Sequence, residues 1–530
     1  MDIKLTTIQI LRLANWLKLS FLAGLIVFAC AKEKKQKPLN EQILAKVGDR
    51  VIIASDFKYS YEFSFASLRR GVSQRRTYLD YLIKELLLAN EGYRLGYHKN
   101  RYVTSRVSNR RRNDLLEAFF MKHVQGKVNI PEQKLEDAIK KGSVKWRMIF
   151  WPVPSLKAAH EARIEASKSD LEDFIEKKIA SQEVQLKEKK FFETDWLDFL
   201  DLRPEVFDKI KNLEVGKVSE PIPYGNGYAL AQILDINLEG VKVEELQYGA
   251  RRKKMYERLH DIESDRIVHA LMDSIITPLD VRVKGGVVEQ LAPPLFEWLK
   301  NGFPQKGSLV NLVRNAPDTA KSYIKQIRDL LVQTLLTSQN GKKTVKDYLN
   351  YLSYHRKNLK QSLSYNNFKE RLITEIGTMF KNEVFIGIAE DDGYADSVRI
   401  VDDLRVWEQK WTYDVCRTET VKDLDVTEQE MHDFFNFRWR ELQLANVDTT
   451  RFYKYENQVY NFLLHEKHIA QLEKRLTDLR KRYPVWINEE LLKELELSDG
   501  TKTHQTSLFV RKNFTGEALV PIADMKWIQF

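Results

Sequence analysis

The stretch EPIPYGNGYALAQILDI, Glu220 to Ile236, is where the fold of this chain is decided. It has the pattern of a strand, a Gly-Asn-Gly turn (Gly225 to Gly227) and a final strand, which predicts a β-hairpin. Working outward, VKWRMIFWPV, Val144 to Val153, predicts a first strand. The segment LKAAHEARIEASKSDLEDFIEKKI follows as a helix, with Ala158, Ala162, Ile164 and Phe174 at helical spacing. Ser143 to Leu238 is therefore expected to be one small unit of strands and helices.

Within it, LEVGKVSEPI, Leu213 to Ile222, carries Gly216, Ser219 and Pro221, and Asp195-Trp196 stands some way before it. These residues and the Gly-Tyr of the hairpin resemble the C-terminal half of parvulin prolyl isomerases, in which Asp195-Trp196 stands near a Gly-Trp-Phe turn. The resemblance implies a sheet with a proline pocket. Rotating a prolyl bond faces a barrier of roughly 18–20 kcal/mol and moves no proton. The catalyst must seat the ring in an apolar pocket and favour the twisted amide electrostatically. By the resemblance, Phe207 matches the pocket phenylalanine and Trp196 is a further pocket candidate. Arg203 stands four residues earlier, where the family has methionine. The two histidines that face each other in the family fall on Arg147 or its immediate neighbour and on Ala229. The segment's one histidine, His160, lies on a predicted helix and is taken as a partly exposed helix residue. The fold is expected to be kept and the catalytic residues replaced, so that Arg147, Arg203 and Ala229 mark degenerate positions.

The flanking sequence is helical. From Ala45 the chain runs AKVGDRVIIASDFKYSYEF, a strand, a turn and a helix with Ser55 as N-cap; YLDYLIKELLLANEGYRLGY predicts a second helix ending near Gly96. This order, with its Val-Gly-Asp opening, resembles the N-terminal region of SurA-like periplasmic chaperones, and with the parvulin-like unit it places the chain beside the SurA/PpiD/PrsA-like extracytoplasmic isomerases and chaperones. The second half repeats the order. Asp56-Phe57 aligns with Asp347-Tyr348, 291 residues on, and Gly96-Tyr97 with Gly393-Tyr394, 297 on. Ile130-Pro131-Glu132 aligns with Val426-Thr427-Glu428, 296 on, whereas Val281-Arg282-Val283 aligns with Val485-Trp486-Ile487 at an offset of 204. The second copy is shorter by 92 residues, close to the 96 of Ser143 to Leu238. The expected fold class is thus α+β, mainly α: two SurA-like helical chaperone cores, 45–142 plus 239–291 and 292–500, with a parvulin-like domain, 143–238, inserted in the first. Gly285-Gly286 and Ala292-Pro293-Pro294 mark the expected boundary between the halves. Residues 501–530 form a tail of strand-like composition, THQTSLFVRKNFTGEALVPIADMKWIQF being most of it.

At the N-terminus, Lys4, Arg12 and Lys18 precede eleven uncharged, mostly apolar residues, Leu19 to Ala29. That is shorter than the roughly 20 residues of a membrane span and fits a secretory signal over 1–29. Val27-Phe28-Ala29-Cys30 resembles the lipobox of bacterial lipoproteins, which implies lipid on Cys30 and a tether over 30–44; Phe28 is bulkier than the pattern usually has. Only Cys30 and Cys416 are present, so a disulfide would have to use the residue assigned to lipid. Loss of 1–29 leaves a net charge of about +8 instead of +10.

With 85 cations against 75 anions, the surface is mixed in sign. Arg110-Arg111-Arg112 and Arg251-Arg252-Lys253-Lys254 are taken as solvated helix faces, and no nucleic-acid partner is expected. Asp391-Asp392-Gly393 and Asp402-Asp403 are taken as solvated carboxylates and His465 with His468 as a surface pair, so neither a metal nor a cofactor is expected. The functional expectation is a membrane-anchored lipoprotein of the bacterial envelope, on the periplasmic face of the outer membrane, that holds unfolded or partly folded exported polypeptides through apolar and aromatic patches. Tyr59, Tyr61, Phe63, Phe65, Tyr348, Tyr351 and Tyr354 are candidates for such patches, most of them as core. The alternatives are an active peptidyl-prolyl cis-trans isomerase and a structural subunit of an envelope complex.

Overall fold

The computed structural model describes residues 38, 41–69, 71, 73–181, 188–238, 245–304, 307–359, 364–442, 444, 447–448, 450–497 and 520–528. Cys30, the residues before it that resemble a lipobox, and most of the C-terminal tail lie outside the described residues. Along the chain come β1 (Ile43–Val47), β2 (Arg50–Ile53), α1 (Ala54–Phe63), α2 (Gln74–Arg94), α3 (Arg101–His123) and α4 (Glu132–Lys141). Next are β3 (Val144–Val153), α5 (Leu156–Ala166), α6 (Leu171–Ala180), α7 (Pro204–Ile210), β4 (Ile222–Tyr224), β5 (Gly227–Leu238) and α8 (Glu245–Leu271). Then follow β6 (Arg282–Val283), α9 (Gly285–Lys300), α10 (Leu309–Arg314), α11 (Ser322–Leu330), β7 (Thr334–Ser338), β8 (Gly341–Thr344) and α12 (Val345–Leu352). The last are α13 (Tyr365–Asp391), α14 (Val398–Val421), α15 (Glu428–Phe437), α16 (Glu456–Arg482), β9 (Val485–Ile487) and α17 (Glu489–Glu494). The class is α+β, mainly α.

Two stretches of this order run in parallel. The hairpin β1–β2 leads into α1 and α2, as β7–β8 leads into α12 and α13. Helix α2 runs out at Gly96 and α13 at Gly393, both in the left-handed region with φ of 79° and 81°. That region favours glycine because a Cβ would crowd the following carbonyl. Helices α3, α4 and α8 then correspond in order to α14, α15 and α16, and β6 to β9.

The chain forms two compact units, residues 1–118 with 382–530, and residues 119–381. These are not the halves drawn from the repeat, and the reason is strand pairing. In the first unit β9 completes the sheet β2-β1-β9, with Ala45 opposite Ile487; in the second, β6 completes β6-β7-β8, with Val283 opposite Leu336. Each hairpin is closed by the strand that belongs to the other copy.

The first unit's core gathers Leu44, Val47, Phe57, Tyr61, Tyr78, Ile83 and Leu87 from the start of the chain with Tyr413, Cys416, Leu472, Leu476 and Leu479 from its end. A fully buried leucine or isoleucine there contributes about 1.5–3 kcal/mol. Helices α2 and α14 approach closely at Gly92, where an added Cβ would come within 2.7 Å of the Thr412 methyl. The described end of the tail, 520–528, packs into the same core. Ser60 Oγ donates to the Pro521 carbonyl (2.9 Å), and the Ala523 N–H donates to the Tyr78 hydroxyl (3.0 Å). This segment holds a short 3-10 turn, Met525–Trp527, and no strand, contrary to the strand-like composition; its polar backbone is satisfied by side chains of the core.

Other sequence expectations need correction. Ser55 is no N-cap, since α1 begins at Ala54 directly from β2 with no side-chain cap. Gly285-Gly286 and Pro293-Pro294, expected at the boundary between the halves, are helical. They lie in α9, which persists although its prolines lack donors, because Val288, Leu291, Ala292, Leu295 and Trp298 are buried along it. Of the aromatic candidates, Tyr61 and Tyr348 are core, whereas Tyr59, Phe65 and Tyr354 are exposed.

In the second unit, α4 and α8 pack through Leu135, Ala138, Ile139, Met255 and Leu259, and between them in sequence comes the sheet β3-β5-β4. Val144 and Leu238, the two ends of this sheet's central pair, stand opposite each other, so the sheet enters and leaves the helical pair at one place. Arg258 of α8 ties it down, donating to Asp201 (2.7 Å) and Asp198 (3.0 Å).

Candidate functional site

Strand alternation sends Trp146, Met148 and Phe150 of β3 to one face of the sheet, together with Ala229, Ala231 and Ile233 of β5. Helix α7 covers that face. Pro204 opens α7 at a position where its missing N–H costs nothing, and Val206 and Ile210 are buried against Trp146, Met148, Ile222, Ala231 and Ile233. The opposite face is filled by α5 and α6 through Ala162, Ala166, Leu171, Phe174 and Ile175. A fourth segment runs along the free edge of β3. Trp146 and Leu197 exchange backbone hydrogen bonds of 2.8 and 2.9 Å, and the Thr194 N–H donates to the Met148 carbonyl at 2.8 Å.

The stretch LEVGKVSEPI is structural. The Gly216 N–H donates to the Ile233 carbonyl at φ 79°, and the Ser219 N–H to that of Ala231. The Ser219 hydroxyl accepts from the Ala231 N–H (2.9 Å) and donates to the Glu220 carbonyl (2.8 Å). Ser219 is 1% exposed, so this loop edge satisfies its polar groups internally.

Phe207 lies half-buried on the α7 face, edge-on to Trp146 with ring centroids 5.8 Å apart, and 6.1 Å from Phe199. Arg203, the residue before α7, holds its guanidinium 5.3 Å from the Tyr224 ring, which in turn stands 6.4 Å from Phe150. Phe207, Phe150, Tyr224 and Arg203 thus surround an apolar surface with one cation at its rim. Phe150 and Tyr224 were not singled out from the sequence; alternation from Trp146 along β3 is the signal that finds Phe150.

Arg147 and Ala229 are not brought together. Arg147 stands opposite Asp235 and Ala229 opposite Pro152 and Ile222. The two positions are six residues apart along β5, about 20 Å at the rise of a strand. The pairing shifts between Arg147 and Met148, and Arg147 is exposed, its guanidinium 6.0 Å from the Trp196 ring. Trp196 is itself 40% exposed, in the segment along the outer edge of β3. Ala229 is 1% exposed and packed. His160 is exposed on α5. The α7 face therefore offers apolar area, an aromatic hydroxyl and a guanidinium, and no imidazole.

Among the groups taken as solvated, Asp403 is paired instead. Arg110, 3% exposed, donates to it in bidentate fashion at 2.6 and 2.8 Å, with Asp114 3.8 Å from the same guanidinium. Burial and the neighbouring Asp403 push the Asp114 carboxyl up to about 7. His465 and His468 are half-buried in a cleft, not a surface pair. No group of three metal-ligating side chains occurs among the described residues.

No protein-family model and no curated protein matches this chain. Among solved structures, it is similar to the peptidylprolyl isomerase PrsA from Bacillus anthracis at 18% identity and a TM-score of 0.22, over 27% of this chain and 64% of that one. It is also similar to PrsA from Bacillus cereus at 16% identity and a TM-score of 0.21, over 44% of this chain and 92% of that one. The match thus spans less than two thirds of the length of the Bacillus anthracis protein.

Proposed function

We propose that this protein is a lipid-anchored chaperone of the bacterial envelope, which holds unfolded exported polypeptides and does little or no prolyl isomerisation. The observation that carries the proposal is the α7 face: Phe207, Phe150 and Tyr224 grouped on a sheet whose last-strand catalytic position is the buried Ala229. A face of this kind gains free energy from apolar side chains of an extended client at about 25 cal/mol per Å² buried. Arg203 adds a cation beside an aromatic ring, a partner for client aromatics or carboxylates. Lowering a rotation barrier of roughly 18–20 kcal/mol requires dipoles matched to the twisted amide. With the imidazole pair replaced, binding remains and the differential stabilisation of the transition state is lost. The lipobox at Cys30 supports the anchor, two or three acyl chains giving stable attachment where one is marginal. The placement at the periplasmic face of the outer membrane rests on the same signal.

Two assays on the purified protein test this. Light scattering of chemically unfolded clients should be suppressed at equimolar chaperone, and Phe207→Ala combined with Tyr224→Ala should weaken the suppression. A protease-coupled proline peptide should isomerise at its uncatalysed rate. Unchanged aggregation of several clients sinks the chaperone reading, and a clear acceleration of the peptide favours a working isomerase. Labelled palmitate should enter the wild type and not Cys30→Ser.

A further inference from the structure

The cleft that holds His465 and His468 lies between α14 and α16 in the first unit and has a volume of about 650 Å³. Arg417 of α14 and Lys422, the residue just past its end, reach it from adjacent turns; on α16, His465 and His468 are three residues apart on one face. Lys526, from the short turn at the end of the tail, forms another side, and Val421 and Leu464 supply apolar wall. None of its lining residues is a carboxylate.

Arg417 is the unusual member. It is 6% exposed, and its Nε is buried with no acceptor. The other buried arginines among the described residues, Arg110 and Arg356, keep acceptors on their terminal nitrogens even though the Arg356 Nε is also unpartnered, whereas Arg417 has no acceptor at all among those residues. Arg110 is held by Asp403, and Arg356 donates to the carbonyls of Pro304 (2.8 Å) and Gly307. A desolvated guanidinium without a counter-charge is unfavourable, and its planar fork matches two oxygens of one anion. Lys422 is shared with Glu419 at 2.8 Å, whereas Lys526 forms no ion pair with any of the described residues. Burial and the charge of Arg417 hold both imidazoles below their usual range, so at neutral pH they offer N–H donors without further positive charge.

We propose that this cleft is a binding site for an oxyanion, carboxylate or phosphate, carried on an apolar body. The head group takes the fork of Arg417 and the ammonium of Lys526, and the body lies on Val421 and Leu464. The site is separate from the α7 face and does not depend on the chaperone reading.

Titration calorimetry of the full chain in detergent tests it with phenyl phosphate, phenylbutyrate, inorganic phosphate and the neutral phenylbutanol. Phenyl phosphate or phenylbutyrate should bind saturably, the tighter of the two identifying the head group, with inorganic phosphate weaker and phenylbutanol weaker still. Arg417→Met should weaken binding about tenfold or more, the scale of one charge-assisted pair. The exposed pair Lys422→Met with Lys526→Met serves where Arg417→Met does not fold, and should also weaken it. Absence of saturable binding by both anions, equal binding of phenylbutanol, or unchanged affinity in the folded variants overturns the proposal.

Discussion

Trp486, near the end of the chain, stands opposite Lys46, near its beginning, in one antiparallel pair, with the ammonium 5.9 Å from the indole ring. The strand that closes the first sheet is thus the last strand among the described residues, while Arg282, its counterpart in the first copy, pairs with Thr337. An edge left without this partner exposes unpaired backbone donors and acceptors along with the apolar side chains behind them.

Fragments should behave accordingly. Residues 119–381 form one contiguous compact unit and should show a cooperative thermal transition by circular dichroism. Residues 30–291 lack β9 and β7, the partners of β1 and β6, and residues 292–530 lack β1 and β6, so each fragment should aggregate or melt without cooperativity. Mixing or co-expressing the two should restore the transition.

The end of the tail should matter for stability. Trp527 is 7% exposed, stacks 6.3 Å from Tyr413, and donates through Nε1 to Glu85 at 3.3 Å, while Lys410 holds the same carboxylate at 2.6 Å. Trp527→Ala should cost about 3–5 kcal/mol in urea unfolding of the first unit, the range for emptying such a site.

Introducing one histidine at position 229 should not confer isomerase activity. Ala229→His places an imidazole where the residue is 1% exposed and where the opposing position is Pro152, which has no N–H to offer. The expected result is a loss of about 1–3 kcal/mol from overpacking, with a proline-peptide rate equal to the uncatalysed one.

Stability of the first unit should fall as pH rises through the weakly acidic range. The Asp114 carboxyl is pushed up to about 7 by burial and by Asp403, against the pull of Arg110 and Arg399. Its folded-state value lies above the unfolded one, so the folded chain binds the extra proton between about pH 4 and 7. The stabilisation is full below that window and is lost as pH climbs through it. Below it, the Glu91 carboxylate acts in the opposite sense: held near 2, chiefly by Arg94, it stabilises above its ordinary range and fails as pH drops. Urea midpoints should therefore be higher at pH 5.5 than at pH 8, and Asp114→Asn should flatten most of that difference.

Much of this was legible in the linear chain because local patterns carried it. The alternation of Val144 to Val153, the Gly-Asn-Gly turn and the paired helix ends at Gly96 and Gly393 each depend on a few neighbouring residues. Which of the candidate aromatics are core, Tyr61 and Tyr348 among them, was not legible there and follows from how α1 and α12 pack. The separation of Arg147 from Ala229 is set by the register of β3 against β5, with Arg147 opposite Asp235 and Ala229 opposite Pro152, and such a register leaves no local mark in the sequence.

The order of elements and their doubling were written in the sequence, since hydrophobic period, turn residues and positive-φ glycines act over a handful of positions. Only the tertiary structure decided which strand closes which hairpin, that Asp403 pairs with Arg110, and that Arg417 is buried in the cleft Lys526 also lines, with its Nε unpartnered. Those outcomes depend on surfaces brought together across hundreds of residues, where many pairings are compatible with the same local pattern and close packing selects one of them.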